Sequence, residues 1–129
     1  MNTSERGRWG ETLACEYLAK NGYTVLARNY RIGHEELDII AENEKYIVFV
    51  EVKARCGDKE SLYRRPASAV TAKKRAHLAH AAEQYIKSNK SEKFYRCDVI
   101  EIYLDEDGTT LRSLDHIKGA FGAKGRIRF

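Results

Sequence analysis

Apolar residues recur at helical spacing along residues 4–21, and the run stops at Asn21-Gly22, with a glycine where helices commonly end. That pattern predicts a first helix. Ala14, Cys15 and Leu18 lie three, four and seven positions after Glu11, so a carboxylate shares the apolar stripe. Glu11 is then either an edge residue reaching solvent or an arginine such as Arg8, or a carboxylate held inward for a purpose. The period next shortens to two. Residues 23–30 read as a strand followed by a turn through Gly33, residues 36–41 as a second, and Asn43-Glu44 as a tight turn into a third over residues 46–53. Three strands in quick succession predict an antiparallel meander.

The third strand organises the chain. Tyr46-Ile47-Val48-Phe49-Val50 is an unbroken β-branched and aromatic run, which suits a buried strand, and it ends in Glu51-Val52-Lys53. Alternation sends Glu51 and Lys53 to one face and Val48, Val50 and Val52 to the other. An acid and a base therefore sit at the edge of a core, where an uncompensated charge costs roughly several kcal/mol. Their mutual salt bridge is one compensation; a divalent metal with a phosphate is the other. Asp38 and Glu36 share a face of the second strand, and pairing of the second and third strands allows a register that brings Asp38 close to Glu51.

Residues 54–67 form a polar loop with Arg55, Lys59, Arg64 and Arg65, broken by Gly57 and by the single proline, Pro66. An alanine-rich helix is predicted over residues 71–88, with Thr71 as its N-cap and Leu78, Ala82, Tyr85 and Ile86 on one stripe. Lys73, Lys74 and Arg75 crowd its first turn, where the helix dipole disfavours cations unless an anion joins them. His77 and His80 read as surface histidines, with no acid or cysteine nearby in sequence to complete a metal site. Residues 94–104 read as a fourth strand, entered from a helix and so free to run parallel to a neighbour, and residues 110–117 as an edge strand. Residues 118–129, rich in glycine and basic side chains, read as a flexible tail that either drapes on a nucleic-acid backbone or is simply a disordered end.

Composition narrows the field only a little. A chain of 129 residues with 43% hydrophobic content can build one core, and a net charge of +4 permits a polyanionic partner without demanding one. Cys15, Cys56 and Cys97 are odd in number and widely spaced, which argues against a disulfide framework or a structural zinc site. The polar first ten residues and the short apolar runs lead to the expectation of a soluble cytoplasmic protein.

Asp38, followed after twelve residues by Glu51-x-Lys53 on an adjacent predicted strand, resembles the PD-(D/E)XK signature of restriction-endonuclease-like nucleases. The run Gly10-Glu11, Ala14, Tyr17-Leu18, Gly22-Tyr23, Arg28-Asn29, Glu36-Leu37-Asp38-Ile39-Ile40, Phe49-Val50-Glu51-Val52-Lys53-x-Arg55, Ala69-Val70, Lys74, Asp98-Val99-Ile100 and Gly119-Ala120-Phe121 is similar to the bacterial YraN-type family. That uncharacterised family is grouped with Holliday-junction resolvases and other PD-(D/E)XK proteins. The resemblance implies an α/β fold with a restriction-endonuclease-like core: a helix, a three-stranded antiparallel meander, a second helix, and further strand extending a mixed sheet. One nuclease-like domain would span residues 1–117, with the tail after it.

Position by position, the resemblance implies Asp38, Glu51 and Glu11 as metal-binding acids, Lys53 as the catalytic lysine and Glu36 as a supporting residue. In such a site the basic residues Arg55, Arg64, Arg65, Lys73 and Lys74, with the tail, would hold a nucleic-acid backbone, and Mg²⁺ or Mn²⁺ would be the cofactor. Glu35 departs from the family pattern, which usually has a glycine there. The activity implied is metal-dependent hydrolysis of phosphodiesters in DNA, with branched or irregular DNA as candidate substrate and a homodimer as the form suited to cutting two strands. The alternative is a non-catalytic nucleic-acid-binding module that acts with a protein partner.

Overall fold

A computed structural model describes residues 1–57 and 72–125. The elements run α1 (Thr3–Lys20), β1 (Thr24–Ile32), β2 (Glu35–Glu42), β3 (Tyr46–Cys56), α2 (Ala72–Asn89), β4 (Phe94–Leu104) and β5 (Leu111–Gly125). The five strands form one sheet in the order β1-β2-β3-β4-β5. β1, β2 and β3 make the expected antiparallel meander, β4 lies parallel to β3, and β5 returns antiparallel to β4. The α/β class and mixed sheet read from the sequence are those observed.

Local chemistry accounts for the boundaries. Asn2 caps α1 by accepting the Glu5 amide at 2.8 Å. At the other end Gly22 adopts φ 88°, and Tyr23 N bonds Leu18 O at 3.0 Å, the αL closure that glycine permits. Asn43 Oδ1 accepts from both Lys45 N (3.0 Å) and Tyr46 N (2.7 Å), which fixes the β2–β3 turn and with it the register. Thr71, the expected cap of α2, lies outside the described residues.

The two helices cover opposite faces of the sheet. α1 contributes Ala14 and Leu18 to a core with Ile39, Val48, Val50, Ile100 and Ile102. α2 sets Leu78, Ala82 and Ile86 against Ile40, Phe49, Tyr95 and Cys97. Each large side chain so buried contributes about 1.5–3 kcal/mol. The strict alternation along β3 thus feeds both cores at once, and Glu51 and Lys53 follow Phe49 on the α2 side.

β5 is longer than expected. The edge strand expected over residues 110–117 continues through residues 118–125 in place of the expected flexible tail, whose last residues, 126–129, lie outside the described ones. Asp98 supplies the reason. This fully buried carboxylate takes Arg96 Nε at 2.8 Å and Nη2 at 2.9 Å, His116 Nε2 at 2.7 Å and the Gly119 amide at 2.9 Å. Tyr17 OH lies 2.9 Å from His116 Nδ1, and Arg96 Nη2 donates to Tyr23 OH at 2.8 Å. Burial alone would raise the Asp98 carboxyl, but the bonds from His116, Arg96 and Gly119 hold it below the usual value. Side chains from α1, β4 and β5 are tied to one charge, and the Gly119 backbone, at φ 62°, bends to reach it.

Candidate active site

The β2–β3 ladder ends at Ile39 opposite Val50, and the next residues on the two strands are Asp38 and Glu51. There the strands part. Asp38 Oδ2 accepts the Val52 amide at 2.9 Å, so a side chain takes over the role of a backbone carbonyl and holds the fork open. Glu51 is only 5% exposed, and its Oε1 lies 3.3 Å from Lys53 Nζ and 3.1 Å from Lys74 Nζ. The first turn of α2 thus delivers an ammonium to the acid at the end of β3.

Two carboxyls so close cannot both ionise without cost. Burial first, then the neighbouring Glu51, push the Asp38 carboxyl up to about 7, against the lowering effect of the Val52 amide. Lys74 is pulled the other way: burial would lower its pKa, yet the attraction of Glu51, Asp38 and Glu35 raises it. The fork is therefore a small, partly buried pocket of acid flanked by cations.

Glu11 approaches from the opposite layer. Gly10 makes this approach close, because a Cβ placed there would stand 2.6 Å from Ala54 Cβ on β3, far inside ordinary contact. The Gly10 backbone packs directly against the Ala54 side chain, and the next residue, Glu11, lies close enough for the charge of Glu51 to act on it. Its side chain is 12% exposed; Oε1 lies 3.8 Å from Arg28 Nη2 and has no hydrogen-bond partner among the described residues. Burial raises the Glu11 carboxyl, while the Asn29 side chain and Arg28 oppose the shift. Asn29 reaches it from a left-handed backbone at φ 51°, a conformation asparagine tolerates better than most residues. Arg28, not Arg8, is the cation beside Glu11, and it is braced by the Thr12 hydroxyl at 3.2 Å and the Arg8 carbonyl at 3.4 Å.

Of the residues singled out in the sequence, Asp38, Glu51, Lys53 and Lys74 come together at the fork, and Glu11 senses the charge of Glu51 from α1. Glu36 is exposed on β2 opposite Arg31, near enough for its charge to act on Glu11. Arg55 is half-buried two residues beyond Lys53, and Lys73 is exposed in the first turn of α2. Arg64 and Arg65 lie outside the described residues. Glu35, the departure from the family pattern, lies 3.2 Å from His77 Nδ1 on α2. Sequence reasoning gave Gly10, Arg28 and Asn29 no role; the signal was there in Glu11 itself, since an acid on an apolar stripe requires a cation and a donor from elsewhere.

The donor set suits a hard cation. Asp38 and Glu51 offer carboxylate oxygens close together, and Glu11 Oε1, buried and without a hydrogen bond among the described residues, is close enough for the charge of Glu51 to act on its carboxyl. Among the described residues no group of three or more His, Cys, Asp or Glu side chains is placed to hold a metal ion, so the candidate protein ligands are the pair Asp38 and Glu51. That is no obstacle for Mg²⁺, which usually binds through one or two carboxylates and keeps waters and substrate oxygens for its other positions.

An α/β domain with two acids at a strand fork and a lysine two positions after the second is the arrangement of the restriction-endonuclease-like class. The chain belongs to the family described as "Uncharacterised protein family UPF0102", whose model matches residues 10–102. A UPF0102 protein of Caldicellulosiruptor bescii is 42% identical over 123 residues, covering 94% of this chain and all of the relative. UPF0102 proteins of Clostridioides difficile (41% over 122 residues, 94% of this chain and all of the relative) and Chlorobium chlorochromatii (40% over 123 residues, 93% of each) are similar along the same length. Among the described residues no helix is long and apolar enough to cross a membrane.

Proposed function

We propose that this protein is a metal-dependent nuclease that hydrolyses phosphodiester bonds in DNA, with branched or irregular DNA as its substrate. The observation that carries the reading is the fork itself: Asp38 and Glu51 converge where β2 and β3 part, with Lys53 and Lys74 within 3.3 Å and 3.1 Å of Glu51. Asp38 and Glu51, with Glu11 behind them, would hold Mg²⁺ or Mn²⁺. Once bound, that ion would supply Lewis acidity toward a phosphoryl oxygen and a lowered pKa for water.

The chain's own groups do the rest. Burial and Glu51 make Asp38 hold its proton more tightly than a free carboxyl, and a bound cation would favour its ionised form. Lys53 and Lys74, both beside Glu51, are placed to meet phosphate oxygens or the attacking water and would stabilise the negative charge that develops on the phosphoryl oxygens. Lys73 and Arg55 extend the positive rim along the strand. Backbone contacts of this kind predict salt-sensitive binding with little dependence on sequence.

A second reading has its own support. Lys53 and Lys74 already compensate the Glu51 charge, which also suits a module that binds nucleic acid and acts through a protein partner. The deciding experiment is a cleavage assay on labelled single-stranded, duplex, splayed and four-way-junction DNA in Mg²⁺, Mn²⁺ or EDTA. Metal-dependent cutting of one of these supports the nuclease and names its substrate. Binding without cutting under every metal condition selects the module.

A further inference from the structure

We infer that the cleft between β1 and the C-terminal half of α2 seats a single unstacked nucleobase of the bound strand. The inference rests on the reading of the protein as one that binds nucleic acid, and it adds what that strand must offer. The cleft holds about 300 Å³, within the size range of small-ligand pockets, and its walls include Tyr30, Ile32, Gln84, Tyr85, Lys87 and Asn89. Aromatic faces, amides and one ammonium are what a base with its phosphate asks for.

The site is built on firm ground. Tyr85 stands edge-on to Phe49 at 5.6 Å, which anchors it in the core, and Tyr30 stands edge-on to Tyr85 at 5.4 Å. Tyr30 nevertheless remains 39% exposed, an aromatic surface left open on an edge strand. Asn89 Nδ2 is fixed on the Tyr85 carbonyl at 2.9 Å, so the end of α2 is held in place beside the cleft. The same helix carries Lys74 to Glu51, and eleven residues at 1.5 Å each separate it from Tyr85 by about 16 Å. A strand lying on the fork can span that distance with a few nucleotides. In continuous duplex no base is free to enter, so the cleft would favour strands with an unpaired nucleotide near the scissile bond.

The test compares bases with no bases. Fluorescence anisotropy in EDTA measures binding of the full chain to a labelled oligothymidylate of about ten nucleotides, to an all-abasic strand of the same length, and to blunt duplex. The wild type should bind the thymidylate about tenfold more tightly than the abasic strand. Tyr30→Ala should remove that difference and leave duplex binding within about twofold, while Tyr30→Phe should preserve it. Equal binding of thymidylate and abasic strands by the wild type overturns the base seat and leaves the nucleic-acid reading standing; the cleft would then suit an apolar side chain of a protein partner. Failure to bind all three at low salt overturns both. Because the wild-type comparison needs no variant, a misfolded Tyr30→Ala cannot blur the result.

Discussion

Gly10→Ala is the sharpest test of how Glu11 is delivered. The added methyl would lie 2.6 Å from Ala54 Cβ and 3.6 Å from Val52 Cγ1, and the first of these contacts belongs to a side chain that cannot swing away. α1 must therefore lift from β3 or β3 must bend. Overpacking of this kind costs about 1–3 kcal/mol, even after the small gain in helix propensity of alanine over glycine. For a chain of this size that corresponds to a fall in Tm of roughly 4–12 °C. Ala54→Gly should cost about 1 kcal/mol by itself, through the weaker strand propensity of glycine. Combined with Gly10→Ala it opens the space that the new methyl needs. Urea denaturation of the wild type, both single variants and the double variant gives the coupling directly. The double variant should be more stable than the sum of the single losses by about 1–3 kcal/mol. Simple additivity would refute the argument, because it would mean that the two positions do not share the contact that sets the helix against the strand.

Three further outcomes follow from the same geometry. Asp38 holds its proton more tightly folded than unfolded, so its contribution is fully present below about pH 4 and is lost as pH rises through about 7. Asp38→Asn should therefore raise the Tm of metal-free protein by several degrees at about pH 8 but little near pH 4, and Mg²⁺ should raise the Tm of the wild type only; an equal gain at both pH values would count against a raised Asp38 carboxyl. Arg96→Met strips the bidentate partner from a fully buried Asp98 and should cost about 3–5 kcal/mol in urea denaturation, whereas a loss under about 1 kcal/mol would show that His116 and Gly119 suffice. Lys74→Ala, at a half-exposed residue, should leave Tm within a few degrees yet weaken DNA binding and flatten its salt dependence, as read by anisotropy across a salt series.

Local and periodic features were legible in the sequence, and contacts between distant residues were not. The run from Tyr46 to Val50 announced a buried strand, and alternation alone sent Glu51 and Lys53 to one face. The Asn43 turn then fixed which residue of β2 would face Glu51, so the core of the site followed from short-range chemistry. Arg28 and Asn29 lie far from Glu11 in sequence, and no periodicity predicts that they meet. In the Asp98 network strand alternation accounts for Arg96, two residues away, but no spacing rule brings in positions 17, 23, 116 and 119. For the same reason residues 118–125 misled: glycine and lysine have poor strand propensity, and the strand there is held by an amide bonded to a buried carboxylate.

Single-turnover cleavage of labelled four-way-junction DNA, with binding measured on the same samples, tests the central claim most directly. Wild type, Asp38→Asn and Lys53→Ala, purified side by side, would be compared in Mg²⁺ and in EDTA. The account predicts metal-dependent cutting by the wild type, a loss of at least about a hundredfold in both variants, and junction binding retained within a few-fold. Cutting that survives Lys53→Ala at the wild-type rate, or a wild type that binds the junction and cuts neither it nor any other DNA, would contradict it.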